Sequence, residues 1–280
     1  MGVVADIERK LARHRMREAV DGTPDLRTST MTHVVWAPPR WLPYAHAVFA
    51  GLEERHPART IFLVPEVGRR TSIEAEVTLK GLSVDGLSRE VFSEVIEIRL
   101  RGDAVRHPGS IVLPLLLSDL PAFCRWRGEP LWGTSTLQEI VDVVDRLVVN
   151  SSEWRRLPAA YELLAGLFEE AAVSDIAYSR TLPWRARMAE LWPAVRNVER
   201  MRVEGPRADA LLLAGWLRSR LQRDVSLTRR NSKDVQVVML DGEQVEPPSG
   251  EPSTPSDLLS AELDAFGRDE VYEAAVRAAS

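Results

Sequence analysis

Apolar and polar positions follow two different periods along this chain, and the switches between them mark out its elements. Val4, Ile7, Leu11, Met16 and Val20 recur at near-helical spacing with charges between them, which predicts an amphipathic helix within residues 1–23, closed by Gly22-Thr23-Pro24. Arg27 to Trp36 (RTSTMTHVVW) is rich in β-branched residues and turns apolar toward its end, as a strand entering a core does. Pro38 and Pro39 stop it. A helix from Trp41 to Arg55 and a second buried strand, Ala58 to Val64, follow. Ile73, Ala75, Val77 and Leu79 then alternate with Glu74, Glu76, Thr78 and Lys80, and Ile96, Ile98 and Leu100 with Glu97, Arg99 and Arg101. That period of two predicts an antiparallel pair with one wet face, joined to a more buried sheet by helices.

The run Ile111 to Leu117 predicts a helix with Pro114 in its first turn. From Asp119 the chain becomes extended and sets Cys124, Arg125, Trp126 and Arg127 in succession before a Gly-Glu-Pro turn. Thr136, with Glu139 three residues on, predicts a capping box for a helix whose apolar side is Leu137, Ile140, Val141 and Val144. Leu147 to Asn150 reads as a strand, and strand, helix, strand in this order predict a parallel crossover.

In the second half, Pro158 opens a helix with Ala160, Leu163, Leu164, Leu167, Phe168 and Ala171 on its buried side. Arg180-Thr181-Leu182-Pro183-Trp184-Arg185 begins another that runs to Trp192. Val198 to Glu204 alternates as a strand, Asp209 to Arg223 is a strongly apolar helix, and Val225 to Leu227 with Val235 to Leu240 predict a closing hairpin. Pro247 to Pro255 is a turn-rich linker before one or two terminal helices over Asp257 to Ala279. The whole predicts an α/β fold, a mixed sheet flanked by helices in two α/β subdomains: an N-terminal helix (1–23), an N-terminal domain (24–152) and a C-terminal domain with terminal helices (153–280). The boundary is expected between Asn150 and Pro158.

With 280 residues, 45% of them hydrophobic and 28% charged, the chain is long enough to bury one large core or two ordinary ones. A net charge of -5 and a pI near 5.7 argue against nucleic acid as a partner. No apolar run approaches about 18 residues, and the first twenty residues mix acids and bases, which argues against a membrane span or a secretion signal. The Met1-Gly2 start lacks a lipidation motif, because Asp6 stands where Ser or Thr is wanted. A cytoplasmic protein is expected. Cys124 is the one cysteine, so no intrachain disulfide can form.

Catalytic patterns are missing from the sequence. No Gly-rich phosphate loop or Gly-x-Ser-x-Gly elbow occurs. The histidines (14, 33, 46, 56 and 107) never take metal-ligand spacing. Carboxylate pairs such as Glu74-Glu76 fall on solvated faces. No catalytic, cofactor or metal site is therefore expected. What stands out is the interleaving of Arg and Trp. Arg125, Trp126 and Arg127, and later Arg180, Trp184 and Arg185, have the composition of interface hot spots. A Trp packed over an Arg stem is the plainer structural reading. These six are the candidate partner-binding residues.

Two segments, SDLPAFCRWRG within Leu113 to Gly128 and DIAYSRTLPWRARMAEL from Asp175 to Leu191, resemble the most recognisable parts of the glucose-6-phosphate dehydrogenase assembly protein family, OpcA. Pro57-Ala58-Arg59-Thr60, ALLLAGWLRSRL (210–221) and DAFGRDEVYEAAV (264–276) extend the similarity in the family's order. The resemblance implies a non-catalytic cytoplasmic assembly factor and allosteric activator. Its partner would be glucose-6-phosphate dehydrogenase, whose active oligomer it would favour in support of NADPH production by the oxidative pentose phosphate pathway. An alternative from the residues themselves is a sugar-phosphate-binding enzyme with an Arg phosphate clamp and His33 or His46 as base. The family's thioredoxin-type redox control in photosynthetic bacteria does not carry over as an intrachain switch, since Cys124 has no partner within the chain.

Overall fold

The structure, a computed structural model, describes residues 2–18, 29–52, 55–83 and 90–280. The chain forms two compact units, one of residues 1–148 with 255–264, the other of 149–254 with 265–280. Each holds helices on sheet strands, so the α/β class with mixed sheets is realised.

In the first unit β1 (Met31–Trp36) is central, and all six of its residues are buried. To one side lie β2 (Ala58–Glu66) and then β4 (Glu90–Arg101), both parallel, with β3 (Ser72–Ser83) antiparallel at the edge. On the other side β5 (Ala122–Trp126) pairs parallel with β1, and β6 (Arg146–Val149) with β5. The order is therefore β3-β4-β2-β1-β5-β6. Composition explains the placement. β1 and β2 are near-continuous apolar runs that need cover on both faces, while β3 alternates and keeps Glu74, Glu76 and Thr78 exposed at the edge. The crossover from β5 to β6 passes through a helix, as expected.

α1 (Val3–Glu18) packs on β3 and buries Ile7 and Leu11 completely; its predicted continuation lies outside the described residues. α2 (Leu42–Ala50) is shorter than the predicted helix and lays Ala45 and Phe49 against Val35, Phe62 and Val95. A helix from Pro255–Leu263 returns to this unit. Its Ser256 hydroxyl donates to the Val48 carbonyl at 3.0 Å, and Ser260 lies 2.7 Å from His56 Nε2. Gly51 permits the approach, because a Cβ there would lie 2.4 Å from Ser256 Oγ.

Two local expectations fail here. The Ile111 to Leu117 run is one α-turn, α3 (Gly109–Val112), followed by a 3-10 turn over Leu113–Leu115, and Leu113 is 59% exposed. Pro114 and the extended backbone at Leu116 stop it from continuing. The capping box does not form either. α4 (Ser135–Val141) has its N-cap at Thr134, so Thr136 sits inside the helix and donates to the Val105 carbonyl, while Glu139 accepts from the Gly109 N–H and meets His107 at 2.7 Å.

The second unit contains α5 (Ala159–Leu167), β7 (Ala172–Asp175), α6 (Ile176–Arg180), α7 (Leu182–Glu190), β8 (Arg200–Glu204), α8 (Arg207–Leu221), β9 (Ser226–Arg230), β10 (Val237–Leu240), β11 (Glu243–Gln244) and, after α9 (the Pro255–Leu263 helix), α10 (Glu270–Ala279). The predicted hairpin between β9 and β10 is absent. β8 lies between them, parallel to β9 and antiparallel to β10, in the order β11-β10-β8-β9. Val198 to Glu204 alternates most cleanly of the three and takes the position with a neighbour on each side. Met201, Val203, Val238 and Leu240 face inward against Leu213 and Leu217 of α8 and Trp184 and Met188 of α7. On its other side α8 packs on α10. A Cβ at Gly215 would lie 2.1 Å from the Ala275 carbonyl, so this contact requires glycine.

Candidate partner-recognition site

β5 alternates its side chains across the first sheet. Cys124 and Trp126 go to one face and Arg125 and Arg127 to the other. Register places Trp126 beside Trp36, and the two indoles stack at 4.7 Å with 16° between their planes. Arg125, Trp126 and Arg127 are only 2%, 1% and 4% exposed. Arg125 Nη1 donates to the Trp126 carbonyl. The Arg127 guanidinium lies 4.4 Å over the Tyr44 ring and 6.0 Å from that of Trp41. Gly128 follows at φ +80°, and a Cβ there would lie 3.2 Å from Trp41 Nε1. The Arg-Trp-Arg run is thus a buried frame. Outward from it the chain presents Arg40, Tyr44 (45% exposed) and Leu131 (43% exposed).

The second trio lies in the second unit and divides differently. Asp175 ends β7 and caps α6, with Oδ1 accepting from the Ala177 N–H at 2.8 Å and the Ser151 N–H at 3.0 Å. One turn later Arg180 grips Asp209 through Nε at 2.8 Å and Nη2 at 2.6 Å, and Nη2 also donates to Ser152 Oγ at 2.5 Å. Arg185 lies 3.6 Å over the Tyr178 ring and donates to the Thr181 hydroxyl and the Tyr178 carbonyl. Trp184 is buried in the core beneath the second sheet. Arg180 and Arg185 are half-buried and Trp184 is 6% exposed. The signature segment from Asp175 to Leu191 therefore ties helix caps and core together.

Burial holds two reactive groups, Cys124 and His33, out of reach. The Cys124 thiol is fully buried and pushed up to about 12, chiefly by desolvation. Burial, helped by the charges of Arg125, His56 and Arg127, lowers His33 to about 3 and keeps its ring neutral. Among the described residues no group of three or more His, Cys, Asp or Glu side chains is arranged to hold a metal, and no helix is long and apolar enough to cross a membrane. One residue escaped the sequence reading. Trp192 is 61% exposed, the most exposed of the eight tryptophans. Its position just past the last turn of α7 was the available signal.

Comparison with known proteins places two family models on consecutive parts of the chain. The glucose-6-phosphate dehydrogenase subunit N-terminal domain matches residues 50–165, and the C-terminal domain of the same subunit matches 171–276. A protein of Synechocystis sp. named "Putative OxPP cycle protein OpcA" is 26% identical over 178 residues, 60% of this chain and 38% of its own length. One of the same name from Nostoc punctiforme is 24% identical over 197 residues, 66% of this chain and 42% of its own length. The chain thus spans about two fifths of the length of the curated relatives it matches.

Proposed function

The chain belongs to the glucose-6-phosphate dehydrogenase assembly protein family, OpcA, and from that premise we propose that it is a non-catalytic cytoplasmic activator that binds glucose-6-phosphate dehydrogenase and favours its active oligomer. The observation that carries this reading is the pair of family models, which cover both halves of the chain in order. The burial of Cys124 and His33 supports it, since neither group is presented for chemistry. In this role the protein adds binding energy to one state of its partner. It shifts the dehydrogenase only by the difference in its affinity for the active and inactive forms. About 1 to 3 kcal/mol of coupling gives a 5- to 150-fold effect. NADPH output of the oxidative pentose phosphate pathway rises accordingly.

Within this reading Arg125, Trp126, Arg127, Arg180, Trp184 and Arg185 serve recognition as a frame. They fix the loops and helices on which exposed contact residues stand, Arg40 and Tyr44 among them. The test is to assay the cognate dehydrogenase with and without this protein while following mass by light scattering. Activation together with a larger active assembly is expected. Turnover of a pentose-pathway metabolite by the purified chain alone, or co-purification with no change in dehydrogenase kinetics, would reject the proposal.

A further inference from the structure

The four-stranded sheet of the second unit has one covered face and one open face. The inner face meets α8 and α7, whereas Arg200, Arg202, Thr228 and Arg230 on the outer face are exposed and Met239 is partly so. Register makes these side chains neighbours. Arg202 stands between Thr228 on β9 and Met239 on β10, and Glu204 is paired with Arg230.

The charge on this face does not cancel. Glu204 is the carboxylate that β8 contributes here, and it is shared by Arg202 at 2.6 Å and Arg230 at 3.7 Å. Arg200 reaches Asp241 only at 3.9 Å, and that carboxylate already accepts the backbone N–H groups of Glu199 and Arg200. The excess is local to this face, where Arg200, Arg202 and Arg230 stand against Glu204 and Asp241 on a chain whose formal charge is -5. An open, arginine-bearing face on an acidic molecule draws an oppositely charged surface, an attraction that acts chiefly in steering the encounter.

We infer that this outer face is a docking surface for an acidic patch on the dehydrogenase, an assignment that rests on the function proposed above. Charge complementarity selects the occupant. Arg side chains pair with carboxylates in a planar, two-pronged way, and Met239 with Thr228 gives the apolar and hydroxyl contact between them that a protein surface uses. A nucleic acid would want the basic groups without the interposed Glu204 carboxylate.

The experiment measures binding of the full chain to the cognate dehydrogenase across a salt series, for wild type, R200E/R202E, the milder R200Q/R202Q, and R106E on an exposed turn of the first unit. Melting curves accompany each variant. The expected result is a loss of about tenfold or more in affinity for the reversal, carried mainly by a slower association rate and a shallower salt dependence. The Gln pair should show a smaller loss in the same direction, and R106E none. If wild type binds while the Gln pair, melting normally, binds as tightly and with the same salt dependence, the surface assignment is overturned. If wild type does not bind at all, the functional reading itself fails. Equal wild-type affinity for a single-stranded DNA probe, or a change in self-association alone, would also overturn the assignment by putting a different occupant on the face.

Discussion

Arg180 and Asp209 form a two-pronged ion pair in which the carboxylate side chain is 1% exposed and the guanidinium 31% exposed. The pair joins the end of α6 to the start of α8, and Ser152 Oγ completes it by bonding to both partners. Breaking such a pair from one side leaves a buried charge with a single hydroxyl for company. Arg180→Ala is therefore expected to cost about 3 kcal/mol, the lower end of the range for removing one partner of a buried pair, because this guanidinium keeps some contact with water. The double variant R180A/D209A should recover at least about 1 kcal/mol of that loss, since the stranded carboxylate is gone. Urea denaturation of the four proteins of the cycle gives both numbers.

Asp175 predicts a pH effect of unusual sign. Burial raises its carboxyl to about 6 against the N–H bonds from Ser151 and Ala177, which lower it. A group whose folded pKa lies above its unfolded value binds its proton more tightly when folded. Its contribution is fully present below about 3.8 and is lost as pH rises through about 6. At neutral pH the charged carboxylate thus burdens the second unit by an amount on the order of 3 kcal/mol. Asp175→Asn keeps an acceptor for Ser151 and Ala177 without the charge. The variant should be at least as stable as wild type at pH 7 and lose the part of the pH dependence between 4 and 6.

His33 predicts the opposite slope in the first unit. Its imidazole is lowered to about 3, first by burial and then by Arg125, His56 and Arg127. Arg125, Arg127 and His56, the last hydrogen-bonded to Ser260, are the groups whose charges bear on it. His33 therefore contributes stability that is present above about 6.5 and lost as pH falls toward 3. Hydrogen exchange followed unit by unit should show β1 and β2 losing protection on acidification while β7 and α6 do not follow in step. His33→Gln should flatten the β1 and β2 response, and an unchanged acid limb in that variant would show that another group carries it.

The periods of the sequence made most strands and helices readable, because burial on one face or two writes itself directly into alternation. Partner choice was less legible. The β9–β10 hairpin was expected from adjacency, yet β8 comes between them, since nothing local in Val225 to Leu240 encodes which strand edge each will meet. The Thr136 box looked sound as a spacing and failed because Thr134 starts the helix two residues earlier. The Arg and Trp clusters stand out by composition, and composition cannot say which side of a sheet a residue takes. Arg125 and Trp126 stand in a strand whose residues are all buried, and Arg127 follows directly on it, so the three go inward, while Trp192, beyond the end of an amphipathic helix, goes out.

That contrast supplies a last prediction within one short segment. Trp184 is 6% exposed and packs with Met188, Leu213 and Leu217, whereas Trp192, eight residues on, is 61% exposed. Truncating a buried Trp removes its packing and leaves a cavity, so Trp184→Ala should cost about 3 to 5 kcal/mol. Trp192→Ala removes a side chain already mostly in water and should change stability by no more than about 0.5 kcal/mol. Fluorescence separates the two without denaturation. Acrylamide should quench a red-shifted component in wild type that disappears in Trp192→Phe and persists in Trp184→Phe. Persistence of that component in Trp192→Phe would mean that a different indole faces the solvent and would undo the placement of α7 on which both expectations rest.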